Sequence, residues 1–169
     1  LDQQRLTCSE TCGFVHWDNP VPVCAAIVET DEGIILAHNV LWPAGMYSVI
    51  TGYLDQHEHP DDCVRREVKE ELGLDTLSIE FVGHELFKQK NQLLIGYHVK
   101  AQGKIVLNDE LDDYKIIPKE KLYEQTNANA DLKQLFVEQV AQIKWAYKLA
   151  HNTVNLSKTQ EVEEIEIIQ

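Results

Sequence analysis

Between Gly52 and Leu74 the chain reads GYLDQHEHPDDCVRREVKEELGL, and this stretch constrains the fold more than any other. A glycine opens a polar, turn-rich segment. An amphipathic helix is then predicted from about Asp61 to Leu72, with Gly73 placed as its C-terminal stop. Val64, Val68 and Leu72 recur every fourth residue and form an apolar stripe that should pack on a sheet. With Glu67 at zero on a helical wheel, Glu71 falls about 40° to one side and Glu70 about 60° to the other. The three carboxylates therefore share one face beside the stripe. They repel one another, and acids near a helix C-terminus oppose the helix dipole. Helix stability does not account for this arrangement. Two readings do. One is a solvated acidic face with salt links to Arg65, Arg66 or Lys69. The other is a set of oxygen ligands for a hard divalent cation, which would bridge a diphosphate and lower the pKa of an attacking water.

Around this helix the pattern is mixed. PVCAAIVETDEGIILAHN reads as two strands joined at a TDEG turn, and MYSVITGYL has strand character ending in a glycine loop. LSIEFVGHELF, NQLLIGYHVKAQGKIVL and DDYKIIP supply further strands. The pattern predicts a long amphipathic helix over residues 131–152 and a polar tail over 153–169. With 169 residues, the expectation is one domain of layered α/β type, spanning 21–130, after an irregular segment over 1–20.

A formal net charge of -13 argues against non-specific affinity for nucleic acid or acidic membrane. Anionic small molecules stay open, because a bound cation can reverse the sign of a small pocket. No apolar run is long enough to span a bilayer. Cys8, Cys12, Cys24 and Cys63 show no evident pairing, which predicts a reducing, cytoplasmic setting.

Gly52, Glu58, Arg66, Glu67, Val68, Glu70, Glu71, Gly73 and Leu74 fall at every fixed position of the Nudix box, and the chain resembles the Nudix hydrolase family. The resemblance implies a Nudix-type α/β/α sandwich with a mixed sheet. It implies a hydrolase that uses Mg²⁺ or Mn²⁺ to split a phosphoanhydride in a nucleoside diphosphate linked to another group, such as ADP-ribose or a sugar nucleotide. Carried over by position, Glu67, Glu70 and Glu71 are the metal ligands, and Glu67 also orients or activates water in some members. Arg66 pairs with Glu58 and braces the loop, for which a bidentate guanidinium–carboxylate pair is suited. Gly52 permits a close backbone approach before the helix. Thr51 stands where many members carry a second glycine.

Outside the box, the family often recruits another acid from a later loop. Glu110 is the first choice here, with Asp109, Asp112 and Glu85 behind it. Tyr47 and Phe87 are chosen from the available aromatic residues, with Trp42, Tyr53 and Tyr97, as surfaces on which a base could stack. Residues 84–99 lack the proline- and tryptophan-rich signature of members specialised for NADH, which argues against that preference. Cys8 and Cys12 resemble half of a cysteine ribbon found ahead of some Nudix domains. Their spacing and the absence of an upstream half argue against zinc, even with His16 and Cys24 as further donors. The expected partner is a small nucleotide-type diphosphate, with neither a membrane nor a stable nucleic-acid complex. The C-terminal helix fits either a cap on the domain or a homodimer contact. The competing functions are an isopentenyl diphosphate isomerase-like enzyme and a catalytically silent nucleotide-binding regulator.

Overall fold

A computed structural model describes residues 5–8 and 12–118. The amphipathic helix expected over 131–152, the polar tail, and the end of the domain expected over 21–130 lie outside the described residues. The structure has a mixed sheet with a helix packed on it, built around strand β3 (Val21–Thr30). Before it, Leu6–Thr7 (β1) and Val15–His16 (β2) pair as a small antiparallel ladder, in a segment expected to be irregular. Strands this short carry no readable alternation in sequence.

β3 alternates between two cores. Cys24, Ala26 and Val28 enter one buried cluster, and Val23, Ala25 and Ile27 enter another on the opposite face. A strand buried on both sides must be apolar at consecutive positions, which is why VPVCAAIV reads as a continuous run. Thr30 turns through Asp31 and Glu32 into β4 (Gly33–Asn39), as the TDEG signal predicts.

The same edge of β3 is shared. Its later part pairs with β4, while Val23–Ala26 pair antiparallel with β5 (Ile50–Tyr53). On the other edge β3 runs parallel to β7 (Gln92–Gln102), which makes the sheet mixed. β6 (Asp75–Phe87) and β8 (Leu111–Ile117) complete the order β6–β7–β3–β4–β8, with β5 beside β3. Residues 105–107, expected to extend a strand, do not. Ile105 and Leu107 pack on the helix-side core, and the Val106 amide donates to the Leu72 carbonyl at 2.9 Å. The segment thus closes the helix end.

The helix α1 spans Pro60–Leu72. Proline is tolerated at this first position because its missing N–H would have no helical partner. Gly73 ends the helix at φ 71° and donates its amide to Lys69 O at 3.0 Å. Val64, Val68 and Leu72 are fully buried against the sheet, each contributing roughly 1.5–3 kcal/mol. This packing fixes the helix rotation and hence the direction of its glutamates.

Candidate active site

Arg66 is the hub of the helix face. Its Nε donates to Glu58 Oε1 at 2.9 Å and its Nη2 to Glu58 Oε2 at 3.1 Å, a bidentate pair. Nη1 reaches Glu67 Oε1 at 2.6 Å and Glu70 Oε2 at 3.2 Å, and Nη2 also donates to the Tyr53 carbonyl at 3.1 Å. Glu58 accepts a further bond from the Asp55 amide. Hydrogen bonding to Arg66 holds the Glu58 carboxyl at about 2. The guanidinium therefore ties the loop, β5 and two helix glutamates into one unit.

Gly52 is not in a loop, as its sequence context suggests, but inside β5 opposite Cys24. Its need for hydrogen in place of a side chain is steric. A Cβ there would lie 1.8 Å from Glu67 Cδ. Glu67 thus lies over the strand backbone. Burial raises its carboxyl, opposed by Arg66 and reinforced by Glu70 and Glu110.

Glu71 is the unusual group. It is 7% exposed, and its carboxylate makes no hydrogen bond or ion pair among the described residues. Burial first, then the charges of Glu67, Glu110 and Glu70, push it up to about 8. It shares a small cavity of about 40 Å³ with Glu110, Asn39, Trp42 and Thr51. Glu110 therefore comes from the loop before β8 to the wall opposite α1. Asp112 is engaged elsewhere, with His38 Nδ1 at 2.6 Å. Asp109 is exposed in the same loop, and Glu85 is half-buried on β6.

Among the described residues, no group of three or more His, Cys, Asp or Glu side chains is arranged as a ready-made metal cage. Glu67 and Glu70 each give one oxygen to Arg66, whereas Glu71 gives none. The donor set itself is all-oxygen and carboxylate-rich, which suits Mg²⁺ or Mn²⁺. A cation would also supply the counter-charge that the buried Glu71 lacks.

Beside the small cavity lies a larger one of about 440 Å³, bounded by Trp42, Met46, Tyr53, Phe87, Lys90 and Gln92 among others. Asn39, Trp42 and Thr51 line both. Phe87 is a wall residue. Tyr47 is not, contrary to the sequence expectation. Its hydroxyl bonds to Asp113, and Lys115 Nζ sits 3.8 Å from its ring centroid, so β8 holds it away. Tyr97 is buried in the core instead. Sequence reasoning missed Asn39, Met46, Lys90 and Gln92. None carries a spacing signal, because topology alone brings them together.

The buried thiols of Cys24 on β3 and Cys63 on α1 lie in the core between helix and sheet. Cys24 donates to Pro60 O at 3.6 Å and Cys63 to Tyr53 O at 3.5 Å. Burial raises both. Cys24 is thus committed to the core, while Cys8 and Cys12 are exposed.

Solved structures share this architecture. A NUDIX hydrolase from Nitrosomonas europaea superposes with a TM-score of 0.56 at 17% identity, covering 78% of each chain. The MutT protein from Methanosarcina mazei Go1 gives 0.54 at 18% identity, covering 76% of this chain and 99% of its own. The fold is that of the Nudix hydrolases. The NAD-capped RNA hydrolase NudC of Pseudomonas aeruginosa is 28% identical over 114 residues, or 66% of this chain and 41% of the relative. NudC of Stutzerimonas stutzeri is 29% identical over 112 residues, with 65% and 41% covered. The chain thus spans about two-fifths of the length of these relatives. A family model described as a domain of unknown function, DUF4391, matches residues 109–169. No helix among the described residues is long and apolar enough to cross a membrane.

Proposed function

We propose that the chain is a divalent-metal-dependent pyrophosphohydrolase, cleaving a phosphoanhydride in a nucleoside diphosphate joined to a further group. Glu71 carries this reading. A buried carboxylate with no cationic partner, sharing a small cavity with Glu110 and feeling the charges of Glu67 and Glu70 as well, is costly in a protein that does not use it. A surface acidic face, the bland alternative for this helix, would leave Glu71 in water.

Glu67, Glu70 and Glu71 would hold the ions, with Glu110 completing the site from the opposite wall. When bound, Mg²⁺ or Mn²⁺ supplies charge neutralisation of the diphosphate and acidification of a water. The chain's own residues position the reaction. Arg66 fixes one oxygen of Glu67 and leaves the other able to take a proton from water. Glu58 holds Arg66 in register through two parallel bonds. The absent Cβ of Gly52 lets Glu67 lie against the strand. The larger cavity, with aromatic walls and one charged lining residue, Lys90, would take the nucleoside.

The NudC relatives favour a second, narrower reading, in which the substrate is a NAD-type dinucleotide, free or at an RNA end. The missing signature over residues 84–99 and the net charge of -13 weigh against NADH and against long RNA tracts. The isomerase alternative needs a cysteine facing a glutamate across an apolar pocket, and no cysteine lines either of these two cavities. The test is a hydrolysis panel with Mg²⁺ and with Mn²⁺: ADP-ribose, sugar nucleotides, NAD⁺, NADH, dinucleoside polyphosphates, triphosphates and a NAD-capped oligonucleotide. Metal-dependent monophosphate release supports the proposal. Binding without cleavage throughout would leave the silent regulator.

A further inference from the structure

The 440 Å³ cavity is within the ~300–1,000 Å³ range of small-molecule sites. Its walls are largely apolar, so any polar lining group there discriminates between ligands. Gln92 is such a group. It is 8% exposed, and its Nε2 donates to the Tyr53 hydroxyl at 3.0 Å. Its Oε1 has no partner among the described residues. Facing the cavity, this oxygen is open to water when no ligand is bound, and a ligand amino group would replace that water with a direct bond.

The topology explains why this pair exists. Tyr53 on β5 is opposite Val23, and Gln92 on β7 is opposite Val21. The two residues therefore flank one end of β3 from its two edges. Trp42 and Tyr53 provide ring surfaces in the same cavity, and the buried Phe87 underlies it. Thr51, Asn39 and Trp42 connect it to the cavity of Glu71 and Glu110. A base in the larger space would thus lie one step from a diphosphate at the acids.

We propose that Gln92, held by Tyr53, reads the base of the bound nucleotide and selects one presenting an amino group, adenine above all, over its oxo counterpart. This inference rests on the proposed nucleotide-diphosphate reading for its biological meaning, but its test does not require turnover. AMP and IMP differ in this edge, an amino group in one and an oxo group in the other. Their binding to the full chain is compared by calorimetry. The wild type should bind AMP about tenfold or more tightly than IMP, the scale of a buried polar mismatch. Gln92→Leu should bring the two within about twofold, and Gln92→Glu, which keeps acceptor oxygens, should restore the preference. Circular dichroism checks that each variant folds. If Gln92→Leu does not fold, Tyr53→Phe keeps the ring, releases the amide, and should cut the ratio at least about threefold.

Equal binding by the wild type, a preference for IMP, an unchanged ratio in both Gln92→Leu and Tyr53→Phe, or no binding of either nucleotide at millimolar concentration would each overturn the inference. Hydrolysis of the panel without base preference would do so while leaving the proposed function intact. AMP selectivity without hydrolysis of any compound would reverse that outcome.

Discussion

Glu71→Gln should make the protein more stable and less active, and the stability gain should depend on pH. The Glu71 carboxyl is pushed from 4.5 up to about 8, chiefly by burial. Such a group favours the folded state when protonated. Its contribution is full below about pH 4.5, falls as pH rises through the interval, and levels off above about pH 8. At ~1.4 kcal/mol per unit, ionising it costs the fold up to roughly 5 kcal/mol. Rotation of Glu67 and Glu70, and water entering the small cavity, would trim this to roughly 2–5 kcal/mol. Glutamine keeps the shape and carries no charge, so it escapes the penalty. In EDTA the variant should melt about 5 °C or more above wild type at pH 8.5, and close to it at pH 4.5. Mg²⁺ should raise the melting temperature of the wild type and narrow the gap, while the variant loses most turnover. Thermal melts across pH, with and without metal, decide the matter. A variant that melts below wild type at alkaline pH would refute the account of Glu71 as an uncompensated buried acid. A variant with full activity would refute its place among the metal ligands.

Three further outcomes follow from the same geometry. Gly52→Ala forces Glu67 off the strand, since the new Cβ would meet its Cδ at 1.8 Å; steady-state kinetics should show kcat lower by roughly 10–100-fold, with a destabilisation of about 1–3 kcal/mol in denaturant titration. Arg66→Lys cannot make the bidentate pair, so kcat should fall about tenfold or more. Glu58 stabilises the fold above pH 4.5 and loses that contribution as pH falls towards about 2, so Arg66→Lys should also unfold at a higher pH in an acid titration followed by circular dichroism. His38 faces acceptors at both nitrogens, Asp112 Oδ1 at 2.6 Å and Pro43 O at 3.2 Å, and the Asp112 bond raises its pKa. Its contribution is present below pH 6.5 and lost as pH rises through the raised value; an NMR titration of the ring placing it below 6.5 would refute the arrangement.

The parts of this molecule that were legible in sequence are those with local causes. The helix announces itself through the spacing of Val64, Val68 and Leu72 and through Gly73, and the β3–β4 hairpin through its turn. The acids that converge on α1 were placed by helical periodicity, and the Glu58–Arg66 brace by the resemblance. What stayed hidden depends on partners far along the chain. Gly52 looks like a loop residue until Glu67, on another element, is seen to occupy the space of its missing side chain. Tyr47 looks like a stacking surface until Asp113 and Lys115 on β8 claim it. Residues 105–107 have strand composition, yet a bond to the end of α1 takes the Val106 amide that a ladder would have used.

The division of labour around β3 shows why these long-range features are connected. One face of the strand supports α1, whose Glu67 lies over Gly52, and the other face supplies Val23 to the larger cavity. Pairing β5 and β7 to opposite edges of the same short stretch sets the acids on one side and the Tyr53–Gln92 pair on the other, with Thr51 lining both cavities between them. A chain that must hold a charged diphosphate and an apolar base within one small ligand needs two such unlike environments a few ångströms apart. A sheet edge where the flanking strand presents Thr51, Gly52 and Tyr53 in succession meets that need, because alternate residues of a strand face opposite sides. Moving β5 by one residue in register would exchange those sides and separate the acids from the base pocket. The register of this four-residue strand is therefore the structural determinant on which both the proposed chemistry and the proposed selectivity depend.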